Sequence, residues 1–146
     1  MLIPIKIHIE SIIHHEQEDQ PEVIKQDLAG TFALRGDEWV LRYKENEGTP
    51  DETRTAVKST QDQITIIRHG AISYRQTYRP QETMTSMIHT PAGQTEMDVH
   101  TLYYLRERDE FHGLIRFSFH LTMGQEKLGN YQLTIRWTEG KFDEFA

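Results

Sequence analysis

Near its start the chain alternates: Ile3, Ile5, Ile7 and Ile9 share one parity, while Pro4, Lys6, His8 and Glu10 hold the other. A period of two marks a strand with one face buried, and helical spacing fails over the same window. The polar stretch from His14 to Glu22, containing Pro21, reads as a connection. Val23 to Arg35 follows as a second long strand interrupted near Gly30, with a short helix over Glu22 to Leu28 as the alternative. Strands then come at short intervals. Trp39, Leu41 and Tyr43 alternate, Glu45 to Glu52 forms a loop around Gly48 and Pro50, and Thr53 to Ser59 is rich in β-branched residues. After a turn at Thr60 to Asp62, Ile64 and Ile66 share a face; His69-Gly70 turns the chain; Ile72, Tyr74 and Tyr78 share a face again, and Pro80 ends that strand.

Downstream, Thr83 to His89 is a strand of threonine and methionine, Pro91 to Gly93 turns, and Glu96 to Arg106 carries Met97, Val99 and Tyr103 at period two. Ile115, Phe117, Phe119 and Leu121 make an unbroken apolar stripe. Gly124 to Lys127 turns, and Tyr131, Leu133, Ile135 and Trp137 make another. From Glu139 onward the chain is a charged tail expected to fray. The sum is an all-β domain over residues 1–146 with about ten strands and loops mostly of hairpin length. Short loops make consecutive strands antiparallel neighbours, so the expected fold is an up-and-down meander. A meander of this length must curl to cover its apolar face and its edges, which favours a closed barrel over a two-sheet sandwich.

Composition adds limits. Apolar residues are only 36% of the chain, but their regular placement argues for a packed core and against disorder. A net charge of -7, with Lys and Arg scattered singly along the sequence, argues against a nucleic-acid partner, which would require the cations to gather on one face. Without cysteine there is no disulfide framework and no thiolate metal site. Met1 to His15 lacks the basic, apolar and small-residue blocks of a signal peptide, and no run approaches the length of a membrane helix. The expectation is a cytoplasmic protein without a membrane partner.

Three segments carry a resemblance. They are Asp37-Glu38-Trp39-Val40-Leu41-Arg42-Tyr43; Ile67-Arg68-His69-Gly70-Ala71-Ile72 with Gln76 and Tyr78 beyond; and Thr90-Pro91-Ala92-Gly93-Gln94-Thr95-Glu96-Met97. Together they resemble the YwiB-like family of small Gram-positive bacterial proteins, over roughly Trp39 to Trp137. The resemblance implies a calycin-like, lipocalin-like β-barrel and no assigned biochemical activity. By analogy of fold it also implies an interior ligand cavity. The amino-terminal Gly-x-Trp of lipocalins is not matched, because Gly36 and Trp39 are three apart, and there is no helix pair of the fatty-acid-binding kind.

Arg68 and Gln76 are the most informative polar residues. Arg68 has the parity of Ile64 and Ile66, and Gln76 that of Ile72, Tyr74 and Tyr78, so stripes that face the interior carry both inward. A buried guanidinium must be paired or hydrogen-bonded, either within a polar network or by a bound anion. The candidate ligand-binding residues are therefore Arg68, Gln76, Tyr78 and Tyr74, with Glu96 as a carboxylate for Arg68; the alternative is an Arg68 that snorkels to solvent at the strand end. One condition attaches. A two-residue His69-Gly70 loop would throw the two stripes onto different faces, so a bulge or a longer loop must restore the register.

Other chemistry finds little support. The histidines have no His-x-His pair; His14 and His15 point to opposite faces of a strand; His112 and His120 lie about 26 Å apart if fully extended. Cross-strand convergence among His69, His89, His100 and His120 stays open, although scattered histidines are the simpler reading. No nucleophile elbow, phosphate loop or dinucleotide fingerprint occurs. The expectation is a non-enzymatic barrel without cofactor or metal that binds a small amphipathic or anionic ligand in its interior. The alternative is a filled barrel acting as an interaction module or homodimer.

Overall fold

A computed structural model describes residues 2–140. Ten strands run in chain order: β1 (Ile3–His15), β2 (Glu22–Arg35), β3 (Glu38–Glu45), β4 (Thr53–Ser59), β5 (Ile64–His69), β6 (Tyr74–Tyr78), β7 (Thr83–Thr90), β8 (Gly93–Arg108), β9 (His112–Met123) and β10 (Glu126–Glu139). They form one antiparallel sheet in the order β6-β5-β4-β3-β2-β1-β10-β9-β8-β7. The meander is thus cyclic in sequence: β1 pairs with both β2 and β10, and the sheet ends at β6 and β7, which are themselves consecutive. Glu22 to Leu28 is strand, so the helical alternative for that segment is not taken.

Those two end strands curl toward each other and nearly close the barrel. Their main chains meet at one bridge, where Ser73 and His89 exchange both backbone hydrogen bonds at 2.9 and 2.8 Å. Further along the seam a side chain takes over from the ladder. Gln76 donates from Nε2 to the carbonyls of Thr77 and Met84 at 2.9 and 3.2 Å, and its Oε1 accepts from Ser86 Oγ at 2.5 Å.

The inward stripes build the core. Ile5, Ile7, Phe32, Leu41, Val57, Ile64, Val99, Ile115, Phe117, Ile135 and Trp137 are all essentially removed from water. Removing each such side chain from water stabilises the fold by roughly 1.5–3 kcal/mol relative to leaving it exposed. Gly30 and Gly113 are among the places where the wall admits no side chain. A Cβ at Gly113 would overlap the Trp137 indole, and one at Gly30 would strike the Arg42 carbonyl and Ile7.

Several expectations from the alternation are corrected. The β5–β6 connection meets the condition of a longer loop, since Arg68 pairs with Tyr74 and Ile66 with Gln76 and both stripes lie on the inner face; the correction is Ile72, which stays in the loop, 46% exposed. On β8 the ladder slips between Thr101 and Tyr103, a bulge at Leu102. The slip exchanges the faces beyond it, so Tyr104 joins the interior cluster and Tyr103 turns outward. Glu139 does not belong to a frayed tail; it is the last residue of β10 and is buried. The rest of that tail, residues 141–146, lies outside the described residues. No helix among the described residues is long and apolar enough to cross a membrane.

Candidate functional site

Antiparallel order sends the β1–β2, β3–β4, β5–β6, β7–β8 and β9–β10 connections to one end of the barrel, here called the mouth, and the other connections to the base. The base is sealed. Phe32 stacks on Trp137 at 5.5 Å, and Trp39 meets the same indole edge-on at 5.8 Å. Arg106 lies 4.1 Å over the Trp39 ring and donates to the Ser59 carbonyl at 2.8 Å. Arg108 grips Glu139 with two parallel hydrogen bonds of 2.7 and 2.8 Å, while Trp137 donates to the same carboxylate at 3.1 Å. Tyr104 bonds to the Thr60 carbonyl and to Ser59.

Above the base the middle of the barrel is filled by aromatic rings. Tyr78 sits 4.8 Å from both Phe117 and Phe119, and Phe119 stacks on Tyr131 at 5.3 Å. Burial pushes the Tyr78 phenol well above its ordinary pKa, and the nearby Tyr74 adds to the rise. Tyr78 is therefore part of the core, and Gln76, whose amide is spent on the seam, is a structural staple. Strand parity nominates both as ligand-binding residues, and neither is brought to the open end of the barrel.

The mouth is different. Inward residues there, including Leu28, Tyr43, Tyr74, Tyr131 and Leu133, are only partly covered. Among them β3, β4 and β5 assemble a polar cluster through register alone: Tyr43 pairs with Thr55, and Thr55 with Arg68. Arg68 Nη2 lies 3.7 Å from Glu45 Oε1, and Gln26 Nε2 donates to Glu45 Oε2 at 3.0 Å. The carboxylate beside Arg68 is thus Glu45. Glu96 lies on the outer face of β8 and is exposed, opposite in parity to the buried Met97, so it is not brought to the cluster. The Arg68 side chain keeps 31% of its surface, so the pair itself is worth at most about 1 kcal/mol.

Two atoms of the cluster stand out. Arg68 Nε and Thr55 Oγ1 are buried and make no hydrogen bond of good geometry among the described residues, although the Tyr43 phenol lies against Thr55 and the Tyr74 phenol against Arg68. Buried polar groups are nearly always satisfied, and leaving one unpaired costs on the order of 1–3 kcal/mol. The phenols around them are held neutral. Burial pushes Tyr43 up to about 12, helped by the Glu45 charge and opposed by Arg68; burial also raises Tyr74, against the pull of Arg68. Two neutral hydroxyls thus flank one half-buried cation.

This arrangement sits within a recognisable family. Residues 7–135 match the family model described as a domain of unknown function, DUF1934. The chain belongs to that family. It is 24% identical over 137 residues to the uncharacterised β-barrel protein YwiB of Bacillus subtilis, covering 94% of each chain. The crystal structure of the ywiB protein from Bacillus subtilis superposes with a TM-score of 0.78 at 23% identity, over 96% of this chain and 94% of that one. The likeness at that identity speaks for the fold, and it agrees that ten antiparallel strands form a barrel. The family match begins at Ile7, well before the Trp39 at which the sequence resemblance became legible.

The histidines form no comparable site. His100 and His120 are register partners on the outer face, their rings stacked at 6.4 Å and 11°, with Thr83 bonded to His100 at 2.8 Å and Asn130 to His120. Among the described residues no group of three or more histidine and acidic side chains is placed to hold a metal ion.

Proposed function

We propose that this DUF1934 barrel is a non-enzymatic binding protein that takes the acidic head of a small amphipathic molecule at its mouth. The observation that carries the reading is the pair Arg68 Nε and Thr55 Oγ1, adjacent across β4 and β5, buried and without a hydrogen bond of good geometry among the described residues. A carboxylate or similar anion accepts from both at once, and the neutral hydroxyls of Tyr43 and Tyr74 add donors without adding charge. The apolar part of the ligand lies against Leu28, Tyr131 and Leu133, which line the same half-covered rim. Because the middle of the barrel is filled by Tyr78, Phe117 and Phe119, the ligand occupies the mouth and does not thread the interior. Glu45 acts as the internal substitute, holding Arg68 from the solvent side until an acid displaces it.

The test uses decanoate as the probe. Isotope-edited NMR of the full chain is expected to show saturable shifts at Thr55, Arg68 and Tyr74. Arg68→Ala abolishes binding, whereas Arg68→Lys, which keeps the charge but loses the planar fork, weakens it. Decanoate shifts that are unchanged in Arg68→Ala, or no saturable binding by the folded protein, would refute the proposal.

A further inference from the structure

Register also gathers charge on the outside of the barrel, where the one-dimensional sequence shows only scattered cations. Across β3, β4, β5 and β6, Arg42 lies opposite Ala56, Ala56 opposite Ile67 and Ile67 opposite Arg75. One row toward the base, Lys58 stands between Val40 and Thr65; one row toward the mouth, Lys44 lies opposite Arg54 and Arg54 opposite His69. All of these have the parity opposite to Leu41, Val57 and Ile66, which face the core. The outer face of β3–β6 therefore carries Arg42, Lys44, Arg54, Lys58 and Arg75 around a floor of small and aliphatic residues, in a chain whose net charge is -7.

The structure shows a groove here of about 520 Å³, reaching from Ala29 and Gly30 across Arg42 and Ala56 to Ile67. Lys44 and Arg54 have carboxylates near them, Glu47 at 3.9 Å and Glu52 at 3.4 Å. Arg42, Lys58 and Arg75 have no ion-pair partner among the described residues. Neighbouring strands are roughly 5 Å apart, well inside the roughly 8 Å screening length at physiological salt, so these cations act on a ligand together.

We infer that this groove is an anion-binding site for a compact polyphosphate, a soluble molecule bearing two or more phosphate charges within the span of three strands. Arginine at Arg42 offers a planar fork suited to phosphate, and Lys58 a point charge on the other side of the Ala56 floor. Compactness follows from what borders the patch. Glu47 lines the groove at its mouth end, Asp51 and Glu52 lie in the same loop, and Asp62 lies in the β4–β5 loop at the base end, so a long polyanion would run from cations onto carboxylates. The outward positions of β3–β6 also carry no Phe, Tyr or Trp on which a nucleobase would stack.

Inorganic tripolyphosphate is the probe, titrated into the full chain at about 0.15 M salt and followed by calorimetry and NMR. The expected result is saturable one-to-one binding with shifts centred on Arg42, Ala56, Lys58 and Ile67. The double variant Arg42→Gln/Lys58→Gln loses affinity about tenfold or more. The control Lys25→Gln/Lys127→Gln, which changes net charge equally on β2 and β10, keeps it. Three results would overturn the inference: no saturable binding, an equal loss in the control, or a DNA duplex that binds more tightly than tripolyphosphate.

Discussion

Thr55 and Arg68 face each other across the β4–β5 ladder, and the atoms they bury there, Oγ1 and Nε, make no hydrogen bond of good geometry among the described residues. A buried hydroxyl without a well-formed hydrogen bond destabilises the fold that contains it. Thr55→Val is therefore expected to raise stability by about 1 kcal/mol while weakening decanoate binding. Urea unfolding alongside the binding titration checks the two opposite signs; a variant that loses stability would show that the hydroxyl is satisfied.

At the seam the prediction runs the other way. Gln76→Ala removes the amide that links β6 to Met84 and Ser86 and leaves those groups behind in a buried place, for an expected loss of about 1–3 kcal/mol. A double-mutant cycle with Ser86→Ala should return a coupling above about 0.5 kcal/mol. Additive effects would mean that the short contact contributes nothing.

Glycine substitutions separate strain from overlap. Gly36 has a φ of 64° and open space around it, so Gly36→Ala meets only the backbone penalty, about 1 kcal/mol. At Gly113 a methyl group collides with the Trp137 indole, and Gly113→Ala should cost more, about 3 kcal/mol, with a change in Trp fluorescence that Gly36→Ala lacks.

Two exposed groups give pH dependences of opposite sense. The Asp109 carboxylate accepts from the backbone N–H groups of Phe111 and His112 at 2.9 and 2.8 Å, which lowers its pKa in the folded chain. Its contribution is present above the unfolded aspartate value and is lost as pH falls through the folded one. His15 is raised by its hydrogen bond to Glu22, so its contribution is present below the unfolded histidine value and is lost as pH rises through the folded one. NMR titration should place His15 above an ordinary histidine, and Glu22→Gln should bring it back.

What alternation could reveal, it revealed: Ile3 to Ile9, Ile115 to Leu121 and Tyr131 to Trp137 all face inward, because one buried face forces one parity. It also carried Arg68 and Tyr74 to the same inner wall. Parity cannot foresee an inserted residue, so the bulge at Leu102 exchanged Tyr103 for Tyr104. Nor does it say which residues meet across strands. Glu45 stands beside Arg68, and Arg42 beside Lys58, only because of loop lengths that local pattern leaves open. Gln76 was legible as an inward polar group, but its use as a staple depends on β7, which no local signal ties to β6.

A wall fastened along one line, among the described residues, by a single rung and one amide has a built-in place to part. Thermal opening should begin there, and the β7 amides that point away from β8 should take up deuterium before those of any interior strand. While that line is open, the mouth is no longer a rigid ring, and its width is set by how far β6 and β7 have separated.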